Sequence, residues 1–262
     1  MSAFVLLTTE GGVARLTLNR PDKVNAFTVP QHEAMRAALD KVEADSTCRC
    51  LVLAGAGKGF CAGQDLNERI RPDGAPPADL GASLDALYNP MIRRLKALSF
   101  PVIASVHGVA AGAGASLALA ADIVIATRAA KFAFGFSKLG LVPDSGGSWI
   151  LPRLVGNARA SGLALLGETI TGAEAAEWGL IWKAVEEDKL GEAVDAVIRQ
   201  LLAQPPRGLA AIKRALQASW TNTLDAQLDH ERDAQRQAGL TRDYQEGVAA
   251  FLAKRAPRFE GR

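Results

Sequence analysis

PVIASVHGVAAGAGASLALAADIVIAT, residues 101–127, decides the reading of the fold. The apolar run PVIASV has the character of a strand. A glycine-rich turn follows, then the small-residue helical run AGASLALAA, then a second strand-like run, DIVIAT. Strand, helix and strand in succession predict an α/β chain. The stretch does not read as a membrane span, because Asp122 interrupts it and glycine and alanine dominate it.

The same pattern recurs upstream. LVLAGAGKGFCAGQDL, residues 51–66, is again an apolar run followed by glycines. FVLLTTEGGVARLTLNRP reads as two strands around a Glu-Gly-Gly turn, which argues against a purely doubly wound sheet. VPQHEAMRAALDKVEA reads as an amphipathic helix with Thr28 as N-cap, Pro30 in the first turn and His32 on the surface. Residues 71–82 form a Pro/Gly/Asp loop. SLDALYNPMIRRLKAL returns to helix, kinked or split by Pro90. Beyond residue 186 the strands stop, and four helical segments form an appendage on the α/β core.

Composition narrows the class of function. A chain of 262 residues that is 48% hydrophobic can bury a sizeable core in one large domain. A net charge of +2, with acids and bases mixed, offers no surface for nucleic acid. A binding protein without catalysis would favour a basic cluster, and only scattered ones such as IRRLK occur. The N-terminus lacks a secretory signal. The cysteines are Cys48, Cys50 and Cys61. Their odd number, and the closeness of the first two, fit reduced thiols in a cytoplasm. No cluster has metal-ligand spacing.

The glycines invite a phosphate-loop reading that fails. GAGKGF lacks the Lys-Ser/Thr pair, and GAGASL has Leu117 where a dinucleotide fingerprint needs glycine. Two uses remain for these turns. One is close packing of helix on strand. The other is a pair of main-chain N–H donors at strand-to-helix turns, aimed at one oxygen: an oxyanion hole. LVPDSGGSW, residues 141–149, echoes the serine of a trypsin-like protease, but too few histidines and the α/β pattern exclude that chemistry. Asp144 reads either as a helix cap or as a proton carrier. Phe134, Phe136, Val142 and Trp149 would raise its pKa, and helix N–H groups would lower it.

GFCAGQDL, GVAAGAGASLALAADIVIA and AKFAFGFSKLGLVPDSGGSWILPRLVG, with LTLNRPDKVNAF near the start and EGVAAFLAKRAPRF near the end, resemble the enoyl-CoA hydratase/isomerase (crotonase) superfamily over nearly the whole chain. The resemblance implies an α/β crotonase (ClpP-like) fold of stacked ββα units. Residues 1–200 would be the core with the CoA and acyl site, and 201–262 a helical oligomerisation region. It implies backbone N–H donors at Gln64 and Ala113. It implies CoA or substrate contacts at Lys23, Val24, Ala62, Asp65, Leu66 and Phe136, with Phe251 and Lys254 near the nucleotide end, in a neighbouring subunit. The two glutamates of the superfamily's hydratases are replaced by Ser116 and Phe136. Asp144 is left as the lone catalytic carboxylate, which suits an acyl-CoA isomerase better than a hydratase, the alternative. The implied partners are an acyl-CoA substrate and a homotrimer or dimer of trimers, with no cofactor beyond the CoA of the substrate.

Overall fold

A computed structural model describes residues 3–70 and 72–261. β1 (Val5–Glu10) and β2 (Val13–Leu18) form an antiparallel hairpin. Gly11 and Gly12 make its turn with φ of 56° and 80°, where glycine alone is unstrained. α1 (Val29–Ala44) crosses to β3 (Cys50–Gly55), which lies parallel to β2. Next come α2 (Leu80–Ser83), a π turn over Leu84–Tyr88 and α3 (Asn89–Ala97). Pro90 lies at the start of α3 and has no N–H to give the helical ladder, so the expected split takes the form of a π turn. Arg71, the first residue of the expected loop, lies outside the described residues. The chain from Pro72 to Asp79 carries no helix or strand.

β4 (Val102–Val106) and β6 (Ile123–Thr127) bracket β5 (Val109–Ala111) and α4 (Ala113–Ala120). β7 (Lys131–Ala133), α5 (Gly147–Leu166), β8 (Thr169–Thr171), α6 (Gly172–Glu177) and β9 (Lys183–Val185) complete the core. The main sheet runs β1-β2-β3-β4-β6-β9, parallel except for the hairpin. A second sheet, β5-β7-β8, is built from three-residue strands. Strands this short carry no periodicity, and the sequence reading does not contain them. Side chains alternate across the main sheet. Leu51 and Leu53 join the large core, while Cys50 and Val52 pack with Ile103 and Ile125 against Val194 and Ile198. The latter two belong to α7 (Leu190–Leu202).

α8 (Pro206–Ala218), α9 (Leu224–Gly239) and α10 (Arg242–Leu252) follow. α8 is pinned to the core by Lys213, whose ammonium lies 2.7 Å from Asp122 and also donates to the carbonyl of Phe100 at 3.1 Å. Among the described residues no helix is long and apolar enough to cross a membrane.

Candidate active site

The two glycine-rich turns lie side by side. Residues 60–61 run along residues 107–111: Phe60 N–H donates to His107 O at 2.9 Å, Cys61 N–H to Val109 O at 3.0 Å, and Ala111 N–H to Cys61 O at 2.9 Å. The closeness demands glycine. A Cβ on Gly114 would lie 2.3 Å from Cys61 O, and one on Gly63 would lie 2.8 Å from Ala111 O and 3.3 Å from the nitrogen of Ala113. Gln64 follows the first turn, and Ala113 is the first residue of α4, where a helix leaves its N–H unpaired. Among the described residues neither N–H donates a hydrogen bond within the chain. The side chain of Gln64, by contrast, is engaged by Arg69 and Tyr88.

Asp144 is held by two donors on its own carbonyl. Ser116, on α4 one turn beyond Ala113, donates its hydroxyl to the Asp144 carbonyl at 2.9 Å. Gly147 N–H donates to the same carbonyl at 2.8 Å. A Cβ on Gly147 would meet Ser116 Oγ at 2.7 Å, so this approach also needs glycine. Ser145 and Gly146 are both left-handed, with φ of 52° and 84°. For serine that conformation costs about 1–2 kcal/mol. Asp144 does not cap the helix: the N-cap of α5 is Gly146, and among the described residues no side chain caps it. Asp144 Oδ1 accepts the Ser145 hydroxyl at 3.0 Å. Burial holds the Asp144 pKa above the usual carboxylate value, while the Ser145 bond and the Arg69 charge pull it back. The competition left open by the sequence is thus decided by desolvation.

The source of that desolvation differs in part from expectation. Phe134 and Phe136 are buried, and Phe136 Cζ lies 3.7 Å from where a Gly112 Cβ would stand. Val142 is 78% exposed, and Trp149 is half-exposed and meets Trp220 in a tilted contact with ring centres 4.4 Å apart. His32 also departs from its expected surface position. It is buried, stacked on Phe27 at 4.6 Å and edge-on to Tyr88 at 4.3 Å. Thr28 sits at the N-cap of α1 as expected, yet its hydroxyl makes no bond, and Val29 N–H donates instead to Glu68 Oε1 at 3.2 Å.

The expected CoA residues divide into two groups. Lys23 and Val24 form a tight turn beside the first motif, where Ala62 N–H donates to Val24 O at 2.9 Å. Buried Asn25 braces that turn by donating to Ala56 O and Gly59 O, both at 2.9 Å. Ala62 and Leu66 are exposed beside it. Asp65 is spent on the scaffold. Its carboxylate takes Arg20 at 2.9 Å and Asn67 Nδ2 at 2.9 Å, and these bonds hold its pKa low. A substrate contact through that carboxylate does not fit this arrangement. Phe251 and Lys254 stand exposed at the end of α10, with no side-chain hydrogen bond to these turns among the described residues. Buried Cys61 has its thiol pushed up to about 12 by burial and donates to Asn25 O at 3.2 Å, so it packs rather than reacts. Open clefts lie elsewhere: one of about 1170 Å³ is lined by Arg49 and His230 among others, one of about 900 Å³ by Arg242 and Arg258, and one of about 640 Å³ by Trp149, Trp220 and Lys213.

Sequence reasoning singled out Gln64 and Ala113 through the motifs of the resemblance and Asp144 through LVPDSGGSW, and the structure brings their segments together through the adjoining turns and the Ser116–Asp144 bond. It missed Arg69, Tyr88 and the placement of His32. Their meeting depends on contacts that no local spacing encodes.

Two main-chain donors on adjoining turns, with one desolvated carboxylate clamped to the same helix, suit removal of a proton beside a carbonyl. The chain belongs to the enoyl-CoA hydratase/isomerase family, whose sequence pattern matches residues 8–262, and it has the crotonase fold and is an enzyme. Within that family it is 55% identical, over the full length of both chains, to the 1,2-epoxyphenylacetyl-CoA isomerase of Escherichia coli (strain K12). It is 36% identical to the trans-2-decenoyl-(acyl-carrier-protein) isomerase of Streptococcus mutans, over 98% of each. The crystal structure of enoyl-CoA hydratase from Bacillus anthracis matches with a TM-score of 0.92 at 29% identity, covering 99% of this chain and 100% of that one.

Proposed function

We propose that this enzyme is an acyl-CoA isomerase. It converts ring-1,2-epoxyphenylacetyl-CoA to the oxepin 2-oxepin-2(3H)-ylideneacetyl-CoA, and it shifts the double bond of 3-enoyl-CoA to 2-enoyl-CoA. The observation that carries this reading is the set of carboxylates. Ser116 and Phe136 fill the positions where a hydratase would need glutamates; of the carboxylates near the two donor turns, Asp65 is tied to Arg20 and Asn67 and Glu68 to Val29 N–H and the Gln64 side chain, which leaves Asp144. The 55% identity to the E. coli isomerase supports the epoxide as substrate.

The thioester oxygen accepts the N–H groups of Gln64 and Ala113. These donors lower the energy of the enolate, without which a carboxylate could not remove so weakly acidic a proton. Asp144 takes the proton from C2 of a 3-enoyl-CoA and returns it at C4. It is base first and acid second, so no second group is required. A raised pKa suits both halves of this task. Lys23, Val24, Ala62 and Leu66 line the CoA channel, Phe136 bounds the acyl end, and CoA enters only as part of the substrate. Ring expansion of the epoxide is an isomerisation without net proton transfer, and the same donors stabilise its thioester.

Residues 1–200 are the catalytic core and 201–262 the oligomerisation region, assembling a trimer or a dimer of trimers. Phe251 and Lys254 then reach the nucleotide of CoA bound to a neighbouring subunit. Their exposure in the single chain supports this reading.

Asp144→Asn is the test. The variant should lose 3-enoyl-CoA isomerisation by about 10³-fold or more while binding the CoA ester nearly as well. Full isomerase activity in it would remove the assignment. Rapid hydration of crotonyl-CoA by the unaltered enzyme would favour the hydratase reading instead.

A further inference from the structure

Gln64 presents a saturated side chain. Its Nε2 donates to Phe27 O at 3.2 Å, Asp65 O at 3.0 Å and Glu68 Oε2 at 3.4 Å. Its Oε1 accepts from Arg69 Nη2 at 2.9 Å and from the Tyr88 hydroxyl at 2.7 Å. A carboxamide offers two donor hydrogens and two lone pairs, so this one has nothing left for a ligand. Its main-chain N–H is the donor that remains free.

Both groups on Oε1 are themselves fixed. Tyr88 is buried at the end of the π turn, edge-on to His32 and, at 5.7 Å between ring centres, to Phe27. Ring packing fixes where the Tyr88 oxygen lies, 2.7 Å from Gln64 Oε1. Arg69 is tethered by its other nitrogen to Ser83 Oγ at 2.9 Å, on α2. Two separate elements therefore converge on one oxygen of a residue whose backbone carries the chemistry.

We propose that Tyr88 and Arg69 are positioning residues for the oxyanion donor. By clamping the Gln64 carboxamide between them, they hold the Gln64 peptide so that its N–H meets the thioester oxygen. The inference rests on the oxyanion reading of Gln64. The physical reason is preorganisation: a donor stabilises developing charge well only if it need not reorient during the reaction. The main chain pins this peptide on one side, where the Gly63 carbonyl accepts Phe27 N–H at 2.6 Å and Asp65 N–H donates to Phe27 O at 2.9 Å, and the side-chain clamp fixes the residue on the other.

The test separates the inference from the reading beneath it. Asp144→Asn enzyme should bind a 2-enoyl-CoA labelled with carbon-13 at the thioester carbonyl without turning it over. The infrared stretch of that carbonyl then reports how strongly the hole polarises it. We expect a shift to lower frequency on binding. Adding Tyr88→Phe or Arg69→Met should cut this shift by about half or more, while the dissociation constant changes less than about three-fold. With Asp144 intact, Tyr88→Phe should lower kcat about ten-fold and leave KM within about two-fold. In a Gln64→Ala background it should have no further effect. Absence of any shift in Asp144→Asn overturns the oxyanion reading itself. A shift that both substitutions leave unchanged overturns the positioning role alone. Additive losses in the Gln64→Ala background overturn it too, because Tyr88 would then act on the substrate directly. Arg69→Met approaches from a partly exposed side, so the test survives if Tyr88→Phe fails to fold.

Discussion

At the scale of the residue, several side chains around Asp144 hold conformations or protonation states that folding alone would not favour. Ser145 accepts a left-handed backbone, and Asp144 accepts a desolvated carboxylate. Strain of this kind persists where the surroundings over-determine it, and here Ser116 and Gly147 both donate to one carbonyl. His32 belongs to the same economy. Burial, followed by the charges of Arg36 and Arg69, lowers its pKa from 6.5 to about 4, and neither ring nitrogen has a hydrogen-bond partner among the described residues. The unfolded chain therefore takes up a proton as pH falls through 6.5, while the folded chain stays neutral until about 4. Stability contributed by neutral His32 is present above 6.5 and is lost as pH falls toward 4. The loss amounts to roughly 2–3 kcal/mol. His32→Phe keeps the stack with Phe27 and Tyr88 and cannot titrate. Urea denaturation at pH 7 and pH 4.5 should show the wild type losing that much more stability than the variant. Parallel losses would mean that His32 titrates normally in the fold. None of this was legible in VPQHEAM, where an exposed face is the default for histidine. The ring is buried because Tyr88, far along the chain, closes over it.

At the scale of the element, the site is made by two strand-to-turn segments that touch through bare backbone. The sequence made these segments legible because glycine is conspicuous and the apolar runs before each are strand-like. It did not show that Gly63 faces Ala111 and Ala113, or that Gly114 faces Cys61, since those approaches depend on residues 60–61 running beside β5. The short strands β5, β7 and β8 were invisible for the same reason. Three residues supply no alternation, and their pairing is a product of the tertiary fold. The physical consequence is steep. Gly114→Ala places a methyl carbon 2.3 Å from the Cys61 carbonyl, and only separation of the two turns can relieve it. Overpacking of this order costs about 1–3 kcal/mol in stability. Its effect on the chemistry should be larger, because the same separation moves the two N–H donors apart. We expect isomerase kcat to fall at least about 100-fold in a variant whose circular dichroism remains native. Gly162→Ala, on α5 with open space at its Cβ, serves as the control and should leave kcat within about two-fold. Similar activity in the two variants would show that the approach of the turns does not govern catalysis.

At the scale of the whole molecule, the chain carries more helix than its own core can cover. α7 buries Val194 and Ile198 against the sheet, and α8 is fixed by the Lys213–Asp122 pair. α9 is different: none of its sixteen residues is buried within the chain. Isolated helices of this length are marginal in water, and most helical stability in proteins comes from packing an apolar face. Yet α9, α10 and the turn between them expose Leu224, Leu228, Leu240, Tyr244, Phe251 and Leu252, between 52% and 83% each. The helical character of this region was plain from periodicity, whereas the lack of an intrachain partner emerged only from the fold. A second copy of the chain is the partner that the oligomer reading supplies. Light scattering should then give three or six times the 27.6 kDa of the single chain. Replacing Leu224 and Leu228 together by glutamate puts charge where the interface would be dry, a cost of several kcal/mol per subunit by order of magnitude. The double variant should dissociate and lose helical ellipticity as α9 frays. If Phe251 and Lys254 serve a neighbour's nucleotide, it should also show a KM for acyl-CoA raised about ten-fold or more. Its kcat at saturation should be retained far better, because Gln64, Ala113 and Asp144 all lie within one chain. A single species of 27.6 kDa for the unaltered protein would instead leave α9 to be stabilised by its own surface charges alone. A dissociated variant with unchanged KM would return Phe251 and Lys254 to a purely structural part.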